Sequence, residues 1–155
     1  VTNRILGHFA YRIFAGLPTK SFKAEKLSVV GNPVRTFIDE IKPGEYVPDE
    51  PLGLLVMGGS QGAVALNNAM ISALPLIKSA GLNIQIVHQT GKRDYERVRS
   101  AYEDAGVDAA VCPFIDDMAQ IYGRSHFVIG RAGASSVAEL QSLRDDVAAV
   151  PAAAE

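Results

Sequence analysis

One stretch constrains the fold of this chain more than any other. Leu52 to Met57 is a short apolar run that breaks at Gly58-Gly59-Ser60-Gln61-Gly62. The chain then passes directly into a segment with Leu66, Met70, Leu74 and Ile77 on one helical face. The apolar run reads as a buried parallel strand, and the glycines as the turn that lets backbone approach a ligand. Ser60 stands where an N-cap is expected. Unpaired N–H groups at a helix start, with the helix dipole behind them, favour an anion, most often a phosphate.

From residue 52 the pattern alternates. A helix over 61–79 ends at Gly81 and is followed by a strand over 83–88 and a charge-rich helix over 92–104. A third strand over 109–112 stops at Pro113; Asp116 is placed to cap a short helix through Tyr122. Phe127 to Ile129 forms a fourth strand, Gly130-Arg131-Ala132-Gly133-Ala134 a second glycine turn with a helix after it, and Val147 to Val150 a fifth strand. Such alternation predicts an α/β fold, a Rossmann-like parallel sheet with helices on both faces and ligands beyond the carboxyl ends of the strands. Every chemically suggestive group falls on that edge: Gly58 to Gly62, His88-Gln89, Phe114-Ile115-Asp116 and Gly130 to Glu139. Upstream, Ile5, Leu6, Phe9 and Ile13 predict a helix over 3–14 that packs against another part of the same protein, or alternatively lies on a membrane surface. A short strand over 27–30 runs into the constrained turn Gly31-Asn32-Pro33-Val34, which presents Arg35, and residues 42–51 form a proline-containing loop.

Composition matters mainly for what it excludes. With 48% hydrophobic and 21% charged residues among 155, the chain can bury a core of one domain. No apolar run has the length of a membrane span. One cysteine and three scattered histidines offer no metal-ligand spacing. Six of the fifteen basic residues lie within 1–35 against a single acid, which reads as a solvated face, with contact to an anionic membrane or a nucleic acid as the alternatives. The chain begins without Met and ends just after its last strand, so it reads as a piece of a longer protein.

Two enzymatic readings compete at the glycine turns. NAD binding needs G-x-G-x-x-G and a carboxylate at the end of the second strand; this chain has Gly58-Gly59-x-x-Gly62, and Ile84 to His88 carries no acid. Gly58-x-Ser60-x-Gly62 does match the nucleophile elbow of α/β-hydrolases, with Asp116 or Asp117 and then His126 following in the order of a triad. His126, however, opens a strand, which puts it at the wrong edge of the sheet. Asp116-Asp117 reads as a cap and a solvated neighbour. For Glu139, a solvated carboxylate stands beside a role in ligand binding.

Five ordered motifs go further. Gly31 to Arg35, Gly58 to Ala63 followed by Leu66-Asn67, His88-Gln89-Thr90-Gly91, Phe114 to Met118, and Arg131 to Ala134 followed by Glu139-Leu140 together resemble the MurG family. These are the N-acetylglucosaminyltransferases of peptidoglycan precursor synthesis. The resemblance implies a truncated half of a two-domain GT-B enzyme. Residues 1–35 would be the tail of the N-terminal domain and a linker, and residues 36–155 the nucleotide-sugar-binding domain. It further implies transfer of GlcNAc from UDP-GlcNAc to lipid-linked muramyl-pentapeptide, with inversion, at the cytoplasmic face of the membrane and without an essential metal or cofactor. Arg35 and Ser60 would contact the donor near its phosphates. The Ile115 backbone would read uracil. Ala134, Ser135, Ser136, Val137, Ala138 and Glu139 would wrap diphosphate and ribose, with Glu139 accepting from ribose hydroxyls. Ser135-Ser136 replaces the family's usual Leu-Thr type pair, and Arg144-Asp145-Asp146 its usual Gly-Leu-Pro. The expected catalytic base and sugar-holding residues lie outside this sequence. The chain is thus either a donor-binding half without activity of its own, or a fragment that no longer binds.

Overall fold

A computed structural model describes residues 2–34, 38, 41, 47 and 50–143. Six residues, Leu52–Met57, form the central strand β3, flanked by β4 (Ile84–Gln89) and β6 (Phe127–Gly130), with β5 (Ala109–Cys112) beyond β4. All three pairings are parallel and the order is β5-β4-β3-β6. In chain order of these four strands that is 3-2-1-4, the Rossmann arrangement, so the predicted fold class holds.

Strand alternation sorts the core onto two faces. Val56 and Ile86 face helices α2 (Val64–Ala80) and α3 (Tyr95–Ala105), where Met70, Leu74, Val98 and Tyr102 complete one cluster. Leu55 and Met57 face the opposite side, packed with Ile115 and with Met118 and Tyr122 of α4 (Met118–Arg124). Leu140 and Leu143 of α5 (Ala134–Leu143) join this second cluster. Gly81 and Gly106 end α2 and α3 in the left-handed conformation, at φ 58° and 60°. The predicted fifth strand over 147–150 lies outside the described residues.

The amino-terminal part departs from expectation. Instead of one helix over 3–14, α1 covers Thr2–Phe9 and Ile13–Ala15 is a strand, β1, paired in parallel with β2 (Leu27–Val29). The helical spacing of Ile5, Leu6 and Phe9 simply continues to Ile13 in the sequence. In three dimensions Ile13 pairs with Leu27, and Lys26 Nζ donates to the carbonyls of His8 and Ala10, satisfying the end of the helix. Ile5, Leu6 and Phe9 stay exposed.

Candidate functional site

The two strands that carry the glycine turns, β3 and β6, are hydrogen-bonded neighbours, with Met57 in register with Gly130. The helix after β3 covers one face of the sheet and the helix after β6 covers the other. Chain leaving adjacent strand ends in opposite directions opens a crevice between the two turns. This switch point is where open α/β sheets hold their ligands.

The first turn is built differently from its sequence reading. Gly59 and Gly62 have φ of 84° and 75°, and the Gly62 N–H donates to the Gly59 carbonyl at 2.9 Å. Ser60 and Gln61 therefore form the corner of a β-turn. Helix α2 starts at Val64, four residues after Ser60, with Ala63 at the N-cap position and no side-chain cap. The expectation that Ser60 caps the helix is corrected: the two positive-φ glycines close a tight turn before the helix can begin. Ser60 is exposed on that turn. Gly62 also has no room for a side chain, since a Cβ would collide with the Thr90 carbonyl. Gly91 (φ 81°) is likewise pressed against the Gln61 carbonyl.

Beneath this contact lies a buried polar network. Asn67, with no exposed surface, donates from Nδ2 to the Thr90 carbonyl at 3.1 Å and to Asp94 Oδ2 at 2.6 Å. Both its donors are thus used, so its Oδ1 must accept from His88 Nε2, 3.1 Å away. That sets the tautomer: His88 Nδ1 is bare and accepts from the Tyr102 hydroxyl at 3.1 Å. Burial holds His88 down at about 4, against a weaker opposing pull from Asp94, and pushes Tyr102 up to about 12. The Asp94 carboxylate sits below its ordinary range, chiefly because Arg97 donates to both its oxygens at 2.7 Å.

On the opposite face of β4, Gln89 is 2% exposed. Its Nε2 donates to the Gly59 carbonyl and its Oε1 accepts from the Ile115 N–H, each at 2.9 Å. Ile115 is buried while its neighbour Phe114 is about half exposed, just past the end of β5. Asp117, not Asp116, caps α4, accepting from the Gln120 N–H at 3.0 Å. The cap reaches the third residue after it, and from Asp116 that reach stops one residue short of Gln120.

At the second turn, Ala134 to Glu139 form the first part of α5, with Ala134 and Ser135 exposed and Ser136 through Glu139 half-buried. Glu139 Oε2 accepts from the Tyr122 hydroxyl at 3.3 Å, and that hydroxyl lies 3.6 Å from Met57 Sδ. This carboxylate is tied back to the strand end. Arg35 lies outside the described residues. Among the described residues no cluster of three or more His, Cys, Asp or Glu could hold a metal ion. Sequence reading assigned no role to Asn67, Gln89, Tyr102 or Tyr122. The available signals were the place of Gln89 at the end of its strand, the motifs that contain Asn67 and Gln89, and a polar Asn67 next to Leu66 and three residues before Met70 inside an apolar stripe.

The hydrolase reading fails on geometry. His126 Nδ1 accepts from the Gly53 N–H at 2.8 Å, at the start of β3, whereas Ser60 follows its end. A six-residue strand, roughly 17 Å long, separates the two.

These features define a Rossmann-like domain with its crevice at the β3/β6 switch point. The model of the glycosyltransferase family 28 C-terminal domain matches residues 53–154, and the chain belongs to that family. It is 43% identical to the UDP-N-acetylglucosamine--N-acetylmuramyl-(pentapeptide) pyrophosphoryl-undecaprenol N-acetylglucosamine transferase of Pelobacter propionicus, over 92% of this chain and 44% of that protein. The protein of the same name from Syntrophus aciditrophicus is 42% identical, over 97% and 42%. Among solved structures, Acinetobacter baumannii MurG superposes with a TM-score of 0.61 at 33% identity, over 90% of this chain and 39% of that one. The chain therefore spans about two-fifths of the length of these relatives.

Proposed function

We propose that this chain is the donor-binding part of an inverting glycosyltransferase that moves GlcNAc from UDP-GlcNAc to a lipid-linked muramyl-pentapeptide, as the names of its relatives indicate. The observation that carries the reading is the pair of glycine turns at one switch point, each opening a helix, in a chain of this family. Helix starts aimed at a shared crevice favour a diphosphate, and they favour it more as the sugar–phosphate bond breaks and negative charge collects on the departing UDP. Arg35, Ser60 and Ala134 to Ala138 would lie along the diphosphate, the Ile115 backbone beside the uracil, and Glu139 at the ribose hydroxyls. Glu139, steadied by Tyr122, suits the last role because a carboxylate accepts from both hydroxyls of a diol.

In this reading residues 1–35 belong to the end of a preceding domain and residues 36–155 to the donor domain. The catalytic base comes from outside this sequence, so the chain alone binds donor without transferring sugar. The enzyme would work as a peripheral protein at the cytoplasmic membrane face. No helix among the described residues is long and apolar enough to cross a membrane.

The test is calorimetric titration of UDP-GlcNAc, UDP and ADP into the chain and into Glu139→Ala. Saturable binding of both uridine ligands, over ADP and weakened in the variant, is the expected result. A folded chain that binds none of them would mean a fragment without a working site. Equal binding of ADP would remove Ile115 as the reader of the base.

A further inference from the structure

Gln89 is the side chain that links the two loops assigned to opposite ends of the nucleotide. It ends the strand lying between β3 and β5, and its amide spans both neighbours. One end donates to the carbonyl of Gly59 in the first glycine turn, and the other accepts from the N–H of Ile115 in the loop after β5. Both contacts are backbone groups, so what the side chain holds is the path of each loop. At 2% exposure water does not compete well for either bond. The site uses a donor and an acceptor on one planar group, at a reach that Asn lacks by a methylene and with a donor that a Glu carboxylate lacks.

We propose that Gln89 is a positioning residue that sets the spacing between the phosphate-binding turn and the base-binding loop, and so selects for ligands carrying both a uracil and a diphosphate. The proposal rests on the donor-binding reading above. A ligand that touches only one loop is indifferent to the spacing. One that bridges both gains the second contact at low entropic cost only when the loops are held at the matching distance.

The experiment compares wild type with Gln89→Met, which keeps the shape and removes both hydrogen bonds. UDP and uridine are titrated into each, with thermal unfolding alongside. The expected result is a loss of UDP affinity of about tenfold, the scale of two modest hydrogen bonds, with uridine affinity changed less than about threefold. A purely structural role would lower the unfolding midpoint and weaken both ligands alike, or neither, and either result overturns the proposal. If wild type binds no uridine ligand, the donor-binding reading itself fails, and the spacing role falls with it. Hydrogen exchange gives a check that needs no variant. The Ile115 amide, held by Gln89, should exchange slowly in wild type; fast exchange in the folded protein would show that the bridge is not made and would refute the proposal.

Discussion

Acid should destabilise this domain through His88. The ring is fully buried, donates from Nε2 to Asn67 and accepts at Nδ1 from Tyr102, so the neutral form is satisfied on both sides. Protonation would bury a charge, and the pKa accordingly falls to about 4 from its ordinary 6.5. The unfolded chain then takes up a proton first as pH falls. Stability from this group is complete above 6.5, declines between 6.5 and 4, and is level below that. The fall corresponds to about 3 kcal/mol in all. A little under half of it is gone by about pH 5.5 and most of it by about pH 4.5. The assay is urea unfolding followed by far-ultraviolet circular dichroism across this range, for wild type and for His88→Gln. The variant should be less stable at neutral pH, because it disrupts the network, yet should lack the slope above about pH 5. Acidic side chains titrate in both proteins, so the difference between the two curves isolates the histidine. Parallel curves between about pH 6.5 and 4.5 would refute the argument, since they would mean that His88 protonates as readily folded as unfolded.

Other expectations follow from the turns and caps. Gly59→Ala, where φ is 84° but the space is open, should cost about 1–2 kcal/mol by urea unfolding. Gly62→Ala adds a collision with the Thr90 backbone to a similar φ, so it should cost clearly more and weaken UDP binding at least about tenfold. Equal effects of the two changes would count against the packing of the turn on the Thr90-Gly91 loop. Asp117→Ala should lower the thermal midpoint by about 2–4 °C, the equivalent of a lost cap of about 1 kcal/mol, while Asp116→Ala should leave it unchanged.

Much of the architecture was legible because each element carries its own signal. The runs at 52–57 and 84–89 are strands whose Leu55, Val56 and Ile86 are buried against helices, 127–130 pairs beside them although most of it is exposed, and glycine closes α2 and α3 where the chain must turn left-handed. The edge on which the site lies also follows from alternation alone. Errors arose where a local pattern was compatible with two structures. Ile13 continues a helical spacing yet pairs with Leu27, a partner that local periodicity does not see. Ser60 is a good cap residue in a place where two glycines make a turn first, and Asp116 and Asp117 differ only in which one reaches the Gln120 N–H.

What the sequence by itself determined, then, is the parallel α/β class, the two glycine turns opening helices, and the motif set that identifies the family. What only the tertiary structure decided is which distant residues meet. The adjacency of β3 and β6, the Asn67–His88–Tyr102 network and the Gln89 bridge from Gly59 to Ile115 all depend on strand order. The physical reason is that periodicity and turn chemistry act between near neighbours in the chain, whereas a buried amide or imidazole takes its partners from whatever strands and helices the packing brings beside it.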